Sequence, residues 1–288
     1  MENGDLLFNF EHLGLVRLDK EGKVVWKLPY QTHHSIHQHD DGNFWVCGQI
    51  EHSGPDPRFP ERIPRFEEYT ILEITPGGEI ANEWSVPDLL MKNNLKGLLY
   101  MASTENKIER IKGDILHLND VEPFPENMEE GFFKRGDVLV SLRNINTVFA
   151  FNRETEKIKY VCCGKFLRQH DPDFIDGNTF SVFDNNQEPD EKNPQSRILV
   201  ISALEGTQSI FFEGSDDQPF YTYILGKHQW LPNGNLLVTE SCSGKAFELN
   251  PKGEIVWEYI NYVDEGIAGI VEEVTRLPGE YAKIFRNE

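Results

Sequence analysis

The sequence predicts an all-β fold, a β-propeller of five to six four-stranded blades, from phrases that recur through its 288 residues. A turn ending in Gly-Asn or Gly-Asp leads into a short apolar strand at 2–10 (ENGDLLFNF), 40–48 (DDGNFWVCG), 134–142 (KRGDVLVSL), 175–183 (IDGNTFSVF) and 232–240 (PNGNLLVTE). Two further strands around a turn follow each copy, at 14–28, 70–84, 147–161, 197–212 and 245–259. A short His-bearing strand precedes four of the five turns, in HHSIHQHDDG, DILHLNDVEPF, RQHDPDFIDG and KHQWLPNG. Four antiparallel strands per ~40–50 residues is the arithmetic of a propeller blade. A β-sandwich is the rival, but it is not expected to repeat its sequence unit by unit.

Each element follows from local chemistry. The turns KEGK, PGGE, RETEK and PKGE carry hairpin residues, with Gly free to take positive φ. Their flanks hold the β-branched and aromatic residues that suit a pleated, half-buried surface. The first unit lacks an innermost strand. The C-terminal stretch 272–285 (EEVTRLPGEYAKIF) is therefore expected to close the ring beside residues 5–10. Two insertions interrupt the pattern. Residues 51–69 contain four prolines and are expected to be a loop. Residues 86–110 space Leu89, Leu90, Leu95, Leu98 and Leu99 as an amphipathic helix would, either packed on the core or lying as a lid. A sixth blade would have to come from sequence upstream or from 86–112. Residues 1–288 thus read as one β-propeller domain.

Composition narrows the partners. Lys and Arg number 28 against 48 Asp and Glu, a net charge of −20, which disfavours nucleic acid and anionic membrane surfaces. An anionic substrate would need a local cluster of donors. No apolar run approaches the roughly 18 residues that span a bilayer. The N-terminus lacks the basic and apolar regions of a signal peptide, so the chain as given reads as cytoplasmic. Cys47, Cys162, Cys163 and Cys242 form no CxxC pair and read as reduced thiols.

Inner propeller strands line a central channel, so His33 or His34, His117, His170 and His228 are expected to converge there. Three readings compete for them. Metal binding draws on the dense set His33, His34, His37 and His39. Yet neighbours on a strand point to opposite faces, so His33 and His34 should not share an ion. His39, at the turn, is expected to be solvated. A second reading makes the imidazoles structural and the propeller a non-catalytic binding platform. The third is nucleophilic or acid–base catalysis on an anion. It gains from Asn119, two residues after His117, and from Arg143 on the adjoining strand, since a guanidinium fork suits tetrahedral oxyanions. A neutral His170 is a competent nucleophile.

The ordered series HLND (117–120), SLRN (141–144), RQHD (168–171) and FDNN (183–186), with the closing HQWLPNGNLLVTESCSGKAFELN (228–250), resembles the arylsulfate sulfotransferases, which use no nucleotide donor. The resemblance covers nearly the whole chain. It implies ping-pong transfer of a sulfuryl group from an aryl sulfate ester to a phenol. It implies His170 as the nucleophile that becomes a sulfohistidine, with His117, Asn119 and Arg143 stabilising charge on the sulfuryl oxygens. His34, favoured over His33, would move a proton at the phenolic oxygen. Trp230 and His228 are candidate substrate-binding residues. No metal and no cofactor are implied, and the partners are small-molecule aryl sulfates and phenols.

Overall fold

The computed structural model describes residues 1, 3–60, 62–101, 113–188 and 192–281. The fold is a five-bladed β-propeller, with one α-helix among the described residues. Blade one has three strands, β1 (Leu6–Phe10), β2 (Gly14–Leu18) and β3 (Val24–Leu28). Blade two has β4 (Thr32–Gln38), β5 (Phe44–His52), β6 (Phe66–Ile74) and β7 (Ile80–Ser85). The helix α1 (Val86–Lys92) follows it. Blade three has β8 (Leu118–Pro123), β9 (Asp137–Leu142), β10 (Thr147–Asn152) and β11 (Ile158–Cys163). Blade four has β12 (His170–Phe174), β13 (Thr179–Asp184), β14 (Arg197–Ser202) and β15 (Gln208–Glu213). Blade five has β16 (Lys227–Trp230), β17 (Leu236–Glu240), β18 (Lys245–Leu249) and β19 (Ile255–Ile260). The chain divides into two compact units, one with Met1–Glu126 and Gly136–Val161, the other with Asn127–Arg135 and Cys162–Leu277.

The recurring Gly-Asn turn has a physical explanation. Gly42 and Gly234 take φ of 88° and 83°, which a Cβ would strain. The asparagine that follows sends its side-chain amide across to a glutamate two strands on. Asn43 Nδ2 donates to Glu73 Oε1 at 2.8 Å, and Asn235 Nδ2 donates to Glu248 Oε1 at 2.6 Å.

In the first unit, β5 buries both faces, and alternation sends successive side chains to different cores. Phe44 and Val46 pack with Leu15, Leu72 and Ile74, while Trp45 and Cys47 pack with Trp84, Val138, Val140 and Phe149. Trp45 stacks on Trp84 with centroids 5.3 Å apart. The connection between β5 and β6 is shorter than expected: His52 pairs with Phe66, so it runs over 53–65, which holds all four prolines. The 86–110 insertion is not one helix within its described part. Ser85 caps α1, accepting from Asp88 N at 3.3 Å, and the helix stops at Asn93 and the left-handed Asn94 (φ 60°). A short 3-10 turn, Lys96–Tyr100, follows, and 102–112 lie outside the described residues. Leu89, Leu90 and Leu99 are buried in the same core as Trp84, which is the core-packing role rather than a lid.

In the second unit, the core joins Phe183, Ile198, Phe212, Phe220, Leu236, Val238 and Phe247. The tip of the acidic insertion after β8 docks here, with Phe133 N donating to Gly177 O at 2.7 Å. A small ribbon, β20 (Tyr262–Asp264) and β21 (Ile267–Ala268), follows β19. The expected closing strand at 272–285 is not a strand in its described part. Val271 N donates to Ser241 O and Val274 N to Thr239 Oγ1, holding the segment to β17 and the turn after it. Residues 282–285 of that expectation lie outside the described residues. Among the described residues no helix is long and apolar enough to cross a membrane. No disulfide joins the four cysteines, all of which are among the described residues.

Candidate functional site

In the first unit the site is built by two inner strands whose starts are irregular. His34 and His117 adopt left-handed backbone, φ 56° and 52°, and register slips occur between His33 and Ile36 and between Leu118 and Asp120. Bulges of this kind re-aim side chains next to functional sites. Strict alternation therefore fails, and His33 and His34 contact each other edge to face, Nδ1 to Nδ1 at 2.8 Å. His34 Nε2 in turn stands 3.3 Å from His117 Nε2, and His117 Nδ1 is hydrogen-bonded to the Asp114 carboxylate. Three imidazoles and a carboxylate thus form one continuous chain.

The electrostatics give that chain a polarity. Burial, reinforced by the nearby His12 and His117, pulls the His33 pKa down to about 3, so His33 is neutral. Burial pushes the Asp114 carboxyl up, but hydrogen bonds from His117 and Tyr69 and the charge of Arg143 outweigh it and hold it below the usual range. Tyr69, buried against the same carboxylate, has its phenol held well above its ordinary value by burial first and by the Asp114 charge next. An ionised Asp114 accepts, so His117 Nδ1 donates.

Arg143 follows β9 and is tied to the segment that carries His117. Its backbone N donates to His117 O at 3.0 Å, and Asn144 N donates to Leu116 O at 3.0 Å. Asn144 Nδ2 donates to Asp114 O at 2.9 Å, and Arg143 Nε donates to Asn144 Oδ1 at 3.3 Å. The unit therefore brings His34, His117 and Arg143 onto one braced group. Asn119 is buried, and its backbone oxygen accepts from Ser35 Oγ at 3.4 Å. The remaining histidines of the dense tract have other partners. His37 Nε2 lies 3.0 Å from Asp120 Oδ1, and Ser35 Oγ donates to the other oxygen of that buried carboxylate. His39 is buried, not solvated, with Asp41 at 3.1 Å, because the turn folds back over it.

In the second unit His170 opens β12 and is buried beside Asn185, with Nδ1 2.7 Å from Asn185 Oδ1. The FDNN stretch braces this region residue by residue. Asp184 accepts from Leu167 N at 2.8 Å and from Arg197 Nε at 3.0 Å, and Asn186 Nδ2 donates to Gln195 O at 3.0 Å. Asp171, next to His170 and left-handed at φ 53°, has different partners. Its carboxylate takes Lys227 Nζ at 2.5 Å and His228 N at 2.6 Å, and lies 3.0 Å from His228 Nδ1. Burial opposes its ionisation, but Lys227 and His228 hold it far below the usual carboxylate range.

His228 Nε2 lies 2.7 Å from Ser181 Oγ, which also accepts from Trp230 Nε1 at 2.8 Å. Asp171, His228 and Ser181 lie in the order of a hydrolase triad, but His228 Nδ1 makes no hydrogen bond to the carboxylate. Ser181 is fully buried and its oxygen is already engaged by Trp230, so the network is structural rather than nucleophilic. Trp230 also packs edge to face on Phe211, centroids 5.0 Å apart. Among the described residues, two groups have ligand atoms close enough for a metal ion, Asp171–Asp173–His228 and His52–Asp56–Glu68. In each a cation is already in place: Lys227 on Asp171, and Arg58 forked onto Glu68 at 2.9 and 2.7 Å.

Tyr69, Asp114, Asp171 and Asn185 are not among the site residues expected from the sequence. Asp114 had a signal in its spacing of three before His117, and Asn185 in the FDNN stretch.

The family model described as Arylsulfotransferase (ASST) matches residues 1–262. Among solved structures the chain resembles a protein of unknown function from Bacteroides caccae, with a TM-score of 0.53 and 15% identity over 89% of this chain and 78% of that one. It also resembles a streptogramin B lyase, with a TM-score of 0.50 and 13% identity over 90% of this chain and 66% of that one. At such identities these likenesses concern the fold alone, and the chain spans just under two thirds of the lyase. No curated protein sequence matches. The family match extends over blades one to five and takes in every residue of the two braced groups: the chain belongs to the arylsulfotransferase (ASST) family.

Proposed function

We propose that the chain transfers a sulfuryl group from an aryl sulfate ester to a phenolic acceptor through a sulfohistidine at His170. The family match supports a sulfotransferase-like activity with aryl sulfates and phenols as substrates. The observation that carries the finer reading is the placement of His170, a buried imidazole whose Nδ1 faces an amide oxygen. A neutral imidazole keeps a lone pair for attack.

In the first half-reaction an imidazole nitrogen of His170 attacks sulfur. The S–N bond forms as the S–O bond to the aryl oxygen breaks, and the phenolate leaves. In the second, the acceptor oxygen attacks the same sulfur, the S–N bond breaks, and His170 is regenerated. Arg143 supplies hydrogen-bond donors to the sulfuryl oxygens, and His117 adds one from Nε2 when its ring carries a second proton; fixed dipoles there act on developing charge. His34 exchanges the proton at the phenolic oxygen, and its ring contact with His117 gives that proton a path towards Asp114. Trp230 and His228 are read as substrate-binding residues. The bracing of Arg143 to the His117 segment supports the donor role, since a guanidinium held in place loses little entropy on engaging an oxyanion.

The test is incubation with a nitrophenyl sulfate and a phenol, without nucleotide. The expected result is release of nitrophenolate that requires the acceptor for sustained turnover and is lost in His170→Ala. An inert wild type across many donors, with His170→Ala folding normally, would favour a binding platform instead.

A further inference from the structure

We propose that Asn185 is the positioning residue of His170, fixing the tautomer of its imidazole before any substrate arrives. The surroundings of the amide settle which way it points. Asn185 is fully buried, and its Nδ2 lies 2.8 Å from Thr222 O and 2.8 Å from Leu225 O. Carbonyl oxygens only accept, so this end of the amide must be the NH₂, and both its protons are used. A flipped amide would set an oxygen against two oxygens. Oδ1 therefore faces His170, 2.7 Å from Nδ1, and an amide oxygen can only accept. Nδ1 must carry the proton.

A neutral imidazole has one N–H, so the lone pair of His170 is on Nε2. On the reading of His170 as the nucleophile, the S–N bond forms at Nε2 and Nδ1 keeps its proton throughout. Attack places positive charge on the ring, and the Nδ1–H bond to Oδ1 strengthens as it does. An aspartate in this place would fix the same tautomer but would also favour the protonated ring, which has no lone pair. A neutral amide orients without bringing a negative charge to the ring.

The bracing around Asn185 matches a fixed part. Its own carbonyl accepts from Ser196 Oγ at 3.2 Å, and Ser196 Oγ accepts from Thr222 N at 3.1 Å. Thr222 O is one of the two carbonyls that hold the amide, so the loop is closed on itself. Leu225, which supplies the other, sits in left-handed backbone at φ 62°.

The test is a nitrogen NMR spectrum of the full chain with labelled histidine, the His170 signals assigned by their disappearance in His170→Gln. The expected spectrum at neutral pH shows His170 protonated at Nδ1 alone, with Nε2 unprotonated. A spectrum with the proton on Nε2, or rapid averaging between the two nitrogens, overturns the proposal with Asn185 itself unaltered. In Asn185→Ser, read by the same spectrum if it folds, the Nδ1–H preference should be lost; its retention would equally overturn the role. Turnover in that variant should fall on the order of 10- to 100-fold, the size seen for buried partners that orient ligating histidines. The proposal rests on the sulfuryl-transfer reading only for its consequence at Nε2. An inert wild type with the Nδ1–H spectrum would refute that reading and leave the tautomer assignment standing. An active enzyme with an Nε2–H spectrum would do the reverse.

Discussion

His117 is held between two partners: its Nδ1 donates to the carboxylate of Asp114, and its Nε2 lies 3.3 Å from Nε2 of His34. The carboxylate has two oxygens for two donors, His117 and Tyr69. An amide carries no charge, and its NH₂ end can only donate. Asp114→Asn should therefore disturb the ring of His117 and lower kcat/KM for an aryl sulfate by on the order of tenfold or more. The side chain is 31% exposed, so the urea midpoint should barely move. Steady-state kinetics beside an unfolding curve checks both halves.

His33 makes stability depend on pH with a definite sign. Its folded pKa is about 3, against an ordinary value of 6.5. Between these values the unfolded chain binds a proton that the folded chain refuses, so stability falls as pH falls through that window. One such group contributes a slope of about 1.4 kcal/mol per pH unit. His33→Gln should show a shallower fall between pH 6 and 4, read from urea unfolding at several pH values.

Asp171 also has a folded value below its unfolded one, so it too loses stability as pH falls, but in a more acidic window. It is ionised and paired in the folded chain, with a pKa well below the ordinary value of 3.8, so its contribution is full above that value and lost only in stronger acid. Asp171→Asn leaves Lys227 without this carboxylate. Breaking a buried pair from one side costs about 3–5 kcal/mol, towards the lower end here because Lys227 is partly exposed. Chemical denaturation at neutral pH measures it.

Ser181→Ala removes the shared partner of His228 and Trp230. Each would lose the hydroxyl from a ring nitrogen, in a buried His228 and a half-buried Trp230, at a cost of about 1–3 kcal/mol. The expected signature is a lower denaturant midpoint at unchanged slope, and a wild-type midpoint would show that the network carries no stability.

The blades were readable because their chemistry is local. A Gly at positive φ followed by an Asn that reaches a neighbouring glutamate marks the turn at Gly42–Asn43 and again at Gly234–Asn235. The site was readable in its residue types but not in its geometry. Alternation placed His33 and His34 on opposite faces, yet a single left-handed residue at His34 brings their rings into contact. Nothing in a histidine's letter announces positive φ. Burial of His39 depends on the turn around it, and the end of α1 at Asn93 and Asn94 outranked the leucine spacing that continued past them. Asn185 stood within a recognised stretch, but its role emerges only from the two carbonyls, of Thr222 and Leu225, that the fold sets against its amide.

The whole mechanism turns on His170 carrying the sulfuryl group between donor and acceptor. The decisive experiment mixes the wild-type chain with a nitrophenyl sulfate in the absence of acceptor, quenches it, and maps peptides by mass spectrometry under conditions that preserve N-sulfonation. The expected outcome is one SO₃ group on the peptide bearing His170, discharged when a phenol is added before the quench. Sustained transfer to phenol with no adduct on His170, or with the group on another residue, would show that the sulfuryl group travels by another route.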